Sequence, residues 1–225
     1  MARTRSPAYD DQREIILAHA ADLFARRGYP ATSMNQLAEA CGLSKPTLYH
    51  YYRDKYALLV QIAEGHVGRL AELVAEIEAE GLPARPRLHR LIIRFVQEYA
   101  GAQNAHRVLT EDVRFLEEAD RERILVTERR VVDGFARALG ELRPDLDAAR
   151  LAVPVSMLLF GMINWMFTWL RPDGSLDHEA MAPIVADLFL GGLPHVSVPA
   201  PPPRGDTPWR RPPPPAPRRR WPPPR

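Results

Sequence analysis

Apolar residues recur at intervals of three and four along most of the chain, and this spacing predicts a protein built of amphipathic helices. The first such run covers residues 9–27 and ends at Gly28, a residue that readily closes a helix. A second helix starts at Thr32 or Ser33, because each can cap a helix that has an amide side chain three residues on. No segment alternates apolar and polar residues over the length of a strand, so we expect no sheet.

A glycine turn separates this second helix from a short third one. Gly42 supplies the left-handed backbone conformation that stops a helix, and Ser44 caps the next, predicted from Lys45 to about Tyr51. Asp54 then caps a long fourth helix with a continuous apolar stripe. A helix, a glycine turn and a short helix with a polar outer face form the pattern of a helix-turn-helix.

The rest of the chain continues the helical pattern up to a proline-rich end. The predicted fold class is all-α, with a helix-turn-helix domain over residues 1–60, a larger helical domain over 61–193 and a tail over 194–225. Fourteen prolines among the 32 tail residues predict extended polyproline or disordered chain, serving as a non-specific DNA arm, a docking motif or a solvated extension. In the larger domain we predict helices over about 88–99, one or two over 105–142, an apolar one over 147–170, and a last one over 178–190.

The basic residues are unevenly distributed. Of 30, only Lys45 and Lys55 are lysines, and both lie in the segment 44–59, which also carries an arginine, a histidine and four tyrosines. Basic and aromatic donors concentrated at a helix start are what contact with phosphates and base edges requires. Net charge is +2 over residues 1–60, −6 over 61–193 and +6 in the tail. The acidic body would repel DNA everywhere except at the reading head, which helps to orient binding.

From Phe24 to Leu59 the chain reads F-x-x-x-G-Y-x-x-T-S-M-x-x-L-A-x-x-x-G-L-S-K-x-T-L-Y-H-Y-Y-x-x-K-x-x-L-L. This run resembles the DNA-binding domain of the tetracycline-repressor (TetR) family. Two positions depart from the family pattern: Tyr52 replaces the usual phenylalanine, and Pro46 stands where glycine, alanine or arginine is common. The second departure affects a local base contact and leaves the fold unchanged.

Taken singly, these residue types have simpler explanations: tyrosines often pack, and a lysine or histidine at a surface is usually solvated. Tyr52 fits the packing explanation, because its spacing from Leu48 and Leu59 points it inward. For the others the resemblance implies contact with double-stranded DNA. The implied residues are Thr32 and Ser33 on phosphate, Lys45, Pro46, Thr47, Tyr49 and His50 on the reading helix, and Tyr51 and Lys55 as backbone anchors.

Leu151 to Leu170 is a charge-free run of twenty residues, long enough in itself to span a membrane. Pro154, Gly161 and Asn164 dilute it, and helices that are apolar all round are also found in cores and interfaces. The resemblance implies that the last two helices pair with their symmetry mates in a four-helix dimer interface. A homodimer also suits DNA reading, because two reading helices related by a two-fold axis contact the half-sites of a palindrome, ~34–36 Å apart or multiples of this.

The segment Gly161–Leu193 resembles more narrowly a branch of the family that represses fatty-acid, sterol or aromatic-acid breakdown and responds to acyl-CoA thioesters. A small hydrophobic ligand of this class needs an apolar tunnel, a polar group near the thioester and arginines for the phosphates. For most of the candidate side chains core packing is the simpler role, and Arg114 and Asn164 are the two favoured as ligand contacts. The implied ligand contacts are Arg94, Arg114, Phe160, Asn164, Trp165 and Trp169.

Other classes of protein have little support in the sequence. The seven histidines lack metal-ligand spacing, and there is no glycine-rich phosphate loop or serine elbow, so we expect no metal, no cofactor and no enzymatic activity. The basic start has no apolar stretch after it, which predicts no signal peptide and a cytoplasmic location. The predicted function is a ligand-responsive transcriptional repressor; a membrane-associated helical protein and a helical enzyme are the alternatives.

Overall fold

The computed structural model describes residues 7–170 and 176–199, and all regular structure within them is helical. The predicted all-α class is confirmed. Short 3-10 turns cover Val113–Phe115, Met166–Thr168 and Leu193–His195. The helices are α1 Pro7–Arg27, α2 Met34–Ala40, α3 Lys45–Tyr51, α4 Lys55–Ala79, α5 Ala84–Gly101, α6 Gln103–Glu111, α7 Glu118–Leu142, α8 Pro144–Ala148, α9 Ala152–Trp165 and α10 His178–Gly192.

Side-chain caps fix the helix limits in the amino-terminal part. Ser33 accepts from the Gln36 backbone N–H while the Gln36 side chain accepts from the Ser33 backbone, a complete capping box for α2. Ser44 caps α3 through the Thr47 N–H, and Asp54 caps α4 by accepting from a backbone N–H at 2.8 Å. The observed limits of α3 are those that the sequence predicts.

Two hydrophobic cores share the long helix α4. The first joins α1, α2 and α3 to the first half of α4, and it includes Val108 and Leu109 of α6. The second joins the end of α4 to α5, α7, α9 and α10 around Phe95 and Phe135, whose rings meet edge to face at 4.7 Å. The domain limit predicted at residue 60 therefore lies inside α4, and apolar packing continues across it. A rigid helix common to both cores can carry a displacement from one to the other.

The apolar helix predicted over about 147–170 is shorter than expected. It begins only at Ala152, because α8 ends at Ala148 and Arg150 takes a left-handed conformation with φ of 59°. It ends at Trp165, where the backbone tightens into the 3-10 turn that follows. Among the residues that the structure describes, no helix has the length and apolarity needed to cross a membrane.

The carboxyl-terminal part is held to the body at least as far as Val196. Arg143 donates to the backbone oxygens of Leu193 and Val196, the latter at 2.8 Å, and Val196 packs against the second core. The tail predicted from residue 194 thus begins with ordered contacts. Residues 200–225 lie outside the described part of the chain.

Candidate DNA-binding surface and ligand cavity

The helix α3 separates a buried anchor from an exposed polar face. Leu48 is fully buried in the first core, whereas the reading residues of the prediction are all exposed: Lys45, Pro46, Thr47, Tyr49 and His50. Gly42 holds φ at +63° in the turn that aims this face outward, a conformation that a side chain would strain. The helix therefore presents donors and an aromatic ring to any surface that it approaches.

Aromatic stacking from α1 supports the end of α3. The Tyr9 ring stacks on Tyr51 with centroids 4.8 Å apart, and His50 meets Tyr51 edge to face at 5.6 Å. Tyr52 is buried, as its spacing predicts, and its hydroxyl accepts from Arg13 Nε at 3.3 Å. The orientation of His50 is therefore set by packing, which sequence spacing within α3 does not reveal.

The two residues expected on phosphate at the start of α2 differ in exposure. Ser33 is exposed and serves as the cap, whereas Thr32 is only 2% exposed and its hydroxyl donates to the Gly28 carbonyl at 3.0 Å. The Thr32 hydroxyl thus stabilises the turn before α2. Of the two residues, only Ser33 is exposed to a surface that approaches α2.

The ammonium group of Lys55 is hydrogen-bonded within the protein. Its Nζ donates to the carbonyl oxygens of Tyr29, Pro30 and Thr32 at 3.0, 3.2 and 3.0 Å. It also lies 4.4 Å from the centroid of the Tyr29 ring. An ammonium group has three donors, and all three are occupied within the protein. Lys55 therefore stabilises the loop before α2, whereas the sequence predicted that it contacts the DNA backbone.

The same loop is tied to the larger domain. The Tyr29 ring lies 5.6 Å from that of Phe115, and the Tyr29 backbone donates to the carboxylate of Asp112, whose pKa is raised by burial. At the first turn of α4, the Tyr56 hydroxyl donates to Asp120 Oδ2 at 2.5 Å. These contacts join both ends of the helix-turn-helix to the larger domain, one to the segment between α6 and α7 and the other to the first turn of α7.

A cavity of about 160 Å³, here called the bundle cavity, lies between α4, α5, α7 and α9. Its walls are mainly apolar, and three polar side chains interrupt them. The apolar lining consists of Val67, Leu70, Val131, Val132, Met157 and Phe160, and the polar lining of Tyr99, Glu128 and Asn164. Sequence analysis anticipated Phe160 and Asn164 here and missed Tyr99 and Glu128.

Two of the three polar side chains of the bundle cavity, Asn164 and Glu128, lack partners among the described residues. The Oδ1 atom of Asn164 is buried without a hydrogen-bond partner, and within the described residues Glu128 makes no ion pair. Burial raises the pKa of the Glu128 carboxyl, and burial together with the Glu128 charge raises the pKa of Tyr99. Unsatisfied oxygen atoms facing an apolar space are characteristic of a binding site.

The remaining ligand residues of the prediction lie elsewhere. Trp165 at the end of α9 and Trp169 after the following 3-10 turn are 66% and 52% exposed, and they line an apolar groove with α10. Arg114 is exposed beside the helix-turn-helix, and Arg94 lies on α5; neither lines the bundle cavity. The six residues are therefore divided between a cavity, a surface groove and two separate positions.

A buried histidine pair links α4 to α6. His66 Nε2 and His106 Nδ1 are 3.2 Å apart, and the Tyr99 ring stacks on His106 with centroids at 4.0 Å. Burial lowers the pKa of His66 to about 4; for His106, burial and the neighbouring His66 lower the pKa to about 3. Both rings are neutral at pH 7, and they connect the wall of the bundle cavity to the helix that packs on α1.

The fold and these two sites define a class of protein: a helix-turn-helix DNA-binding regulator whose reading head shares a helix with a cavity-bearing helical domain. Residues 16–62 match the family model described as "Bacterial regulatory proteins, tetR family". Residues 81–193 match the model described as "Tetracyclin repressor-like, C-terminal domain". The chain belongs to the TetR family of bacterial transcriptional regulators, which are not enzymes.

Individual relatives agree with this assignment. A TetR-family transcriptional regulator from Bordetella parapertussis 12822 is 35% identical, with a TM-score of 0.76 over 82% of this chain and 97% of its own. The HTH-type transcriptional repressor KstR2 of Rhodococcus jostii is 28% identical over 200 residues, covering 82% of this chain and 93% of that protein. The regulator AibR, solved with isovaleryl coenzyme A and operator DNA, shares the fold with a TM-score of 0.67 at 24% identity, over 79% of this chain and 97% of its own.

Proposed function

We propose that this protein is a homodimeric repressor that binds a palindromic operator through α3 and leaves it when a small hydrophobic ligand enters the bundle cavity. The observation that carries the proposal is the shared helix α4, which begins at the reading head and forms one wall of the cavity through Val67 and Leu70. On the DNA side, Lys45, Tyr49 and His50 are proposed to contact the operator, with Ser33 on phosphate.

The proposed dimer surface is the outer face of α9 and α10. It carries large apolar side chains that a monomer would leave in water: Leu158 is 70% exposed, Trp165 66% and Leu188 65%. The surrounding groove is lined by Met162, Ile184 and other apolar residues with little polar surface. Contiguous apolar surface of this kind marks protein–protein contact. In a symmetric dimer this face contacts the same face of the second copy, so each of these residues is buried in both protomers.

A charge on this face tests the dimer. We expect Leu188→Arg to sediment as a monomer at micromolar concentration and to lose operator binding, because an unpaired arginine would be buried at the contact. Val126→Arg, which places the same charge on an exposed apolar position of α7, is the matched control and should remain dimeric. Dimers of unchanged affinity in the Leu188 variant would contradict the proposed interface.

The proposed ligand class is an acyl-CoA thioester. AibR, which shares the fold, binds isovaleryl coenzyme A, and the bundle cavity has the size for a short acyl group or one six-membered ring, since a dry apolar cavity of ~150 Å³ accepts benzene. The acyl group would occupy the apolar walls, and the larger, charged part of the molecule would remain outside. Arg94 and Arg114 do not line the cavity, so the phosphates are not assigned to them.

Ligand binding is proposed to act on DNA affinity through the contacts between the two cores. A ligand that widens the space between α4 and α7 would displace α4, and Tyr56 and Asp120 tie its first turn to the start of α7. The ligand then favours the conformation in which the two heads no longer match the half-site spacing. The helical segment α6 shares this connection, because its Val108 and Leu109 belong to the core of the head.

Release from a preformed operator complex tests the ligand class. Coenzyme A, free acids and acyl-CoAs of several chain lengths are titrated against the complex, with fluorescence anisotropy of the labelled operator as the readout. We expect short acyl-CoAs to release the DNA, and Phe160→Trp, which fills the cavity, to abolish release while operator binding persists. Val126→Trp, which adds the same ring at an exposed position of α7 outside the cavity, is the control and should respond normally. Release by the free acid alone would remove the thioester from the proposal.

A further inference from the structure

Two of the three polar side chains in the bundle cavity, Glu128 and Asn164, present oxygen acceptors to it. Asn164 Oδ1 is buried with no partner, and the Glu128 carboxyl faces the same space from α7 with no ion pair or hydrogen bond among the described residues. The arginine next to Glu128 in sequence does not neutralise it, because Arg129 is paired with Glu122 at 3.0 Å. The cavity thus combines six apolar side chains with oxygen atoms that nothing in the described part of the protein satisfies.

Such atoms set conditions on the occupant. A buried acceptor without a donor costs roughly 1–3 kcal/mol, so a plain hydrocarbon that displaced solvent from this space would leave that cost in place. A carboxylate would bring two further acceptors next to Glu128 and be repelled. A hydroxyl or ammonium group supplies the missing donor, and the apolar walls accept the rest of the molecule.

We propose that the bundle cavity selects an apolar group carrying a hydroxyl or ammonium donor, with Glu128 and Asn164 as the acceptors that recognise it. The inference rests on the proposed function only in taking the cavity as the effector site. It adds to the thioester class that the acyl part carries a donor, such as a ring or chain hydroxyl. A cationic amine satisfies the same two acceptors and is the other source of this chemistry.

Ring compounds of one size separate these cases, because the cavity holds about one six-membered ring. Benzyl alcohol, benzylamine, toluene and benzoate are titrated against the full-length protein by saturation-transfer NMR, with the melting temperature as a second readout. We expect benzyl alcohol or benzylamine to bind at least tenfold more tightly than toluene, with benzoate the weakest. If benzyl alcohol binds most tightly, the ligand carries a hydroxyl group. If benzylamine binds most tightly, the ligand is cationic.

Two isosteric variants assign the preference to the named atoms. Glu128→Gln should reduce the ratio of benzylamine affinity to toluene affinity at least fivefold. It should also allow benzoate to bind more tightly, because the negative charge is gone. Asn164→Leu should reduce the ratio of benzyl alcohol affinity to toluene affinity by a similar factor and strengthen the binding of toluene. Glu118→Gln, at an exposed position on the same helix, is the control and should leave the order of the four compounds unchanged.

Three results would overturn the inference: toluene binding as tightly as the donor-bearing compounds, an order unaffected by both variants, or no binding of any compound up to its solubility. Operator affinity of the unliganded protein is measured on the same preparations. If operator binding is normal and any of these results is obtained, the donor requirement is refuted and the proposed regulator function still stands. Loss of operator binding together with a donor preference would instead fault the proposed function, since the cavity would still bind its ligand.

Discussion

Replacing Lys55 distinguishes a structural lysine from one that contacts DNA. Lys55→Met keeps the aliphatic stem and removes the three hydrogen bonds to the carbonyls of Tyr29, Pro30 and Thr32. Hydrogen bonds from a charged donor contribute roughly 1.5–3 kcal/mol each when buried, and this group is partly exposed, so we expect a total loss of about 2 kcal/mol. For a chain of this length that lowers the melting temperature by about 4–8 °C.

The salt dependence of operator binding gives the second half of the test. Each phosphate that a cationic side chain neutralises adds about 0.9 to the slope of log affinity against log salt, so Lys55→Met should leave the slope unchanged and weaken affinity only through the loosened loop. Lys45→Met is the matched control: it is exposed on α3, and because a dimer carries two copies, it should make the slope shallower by about 1.8 with no change in melting temperature. A Lys55 variant that melts normally but shows the lower slope would refute the assignment.

Further predictions concern the packing of α7 on α4 and the titration of the buried histidine pair. A Cβ at Gly134 would lie 2.3 Å from Val74 Cγ1, so Gly134→Ala should lower the melting temperature, whereas Gly68→Ala, whose Cβ meets nothing within 4 Å, should raise it slightly by helix propensity. The pKa values of His66 and His106, about 4 and about 3 in the fold, lie below the ordinary value near 6.5. The unfolded chain therefore binds more protons below pH 6.5, so the free energy of unfolding that the pair contributes is fully present above that pH and is lost progressively as the pH falls from 6.5 to about 3. Denaturant titrations across this range should show a shallower fall in His106→Gln; an equal fall would remove the pair as its cause.

Local signals along the chain predict the helix-turn-helix closely. Ser33, Ser44 and Asp54 each act on a backbone group three residues away, so a cap and its helix are predicted from the same short segment. The limits of α9 were harder to predict, because the left-handed Arg150 and the tightening after Trp165 are not encoded by glycine or proline at those positions.

The parts of the sites that sequence reasoning missed depend on distant contacts. Lys55 meets carbonyls 23 to 26 residues away, and His66 meets a ring 40 residues away. In the sequence, Glu128 is one of many charged residues on an amphipathic helix. Only the packing of α7 against α4 and α9 brings it into the bundle cavity. Arg94 and Arg114 show the converse: a suitable residue type does not place a side chain at the site.

Selection of DNA sequences from a random library tests the central claim, that α3 reads an operator as one half of a symmetric dimer. The wild-type protein is predicted to enrich a palindrome with half-sites about one helical turn, or a multiple of it, apart, and Tyr49→Ala with His50→Ala is predicted to enrich it weakly or not at all. Enrichment of no common sequence by the wild-type protein, or of the same palindrome to the same degree by the double variant, would contradict the account.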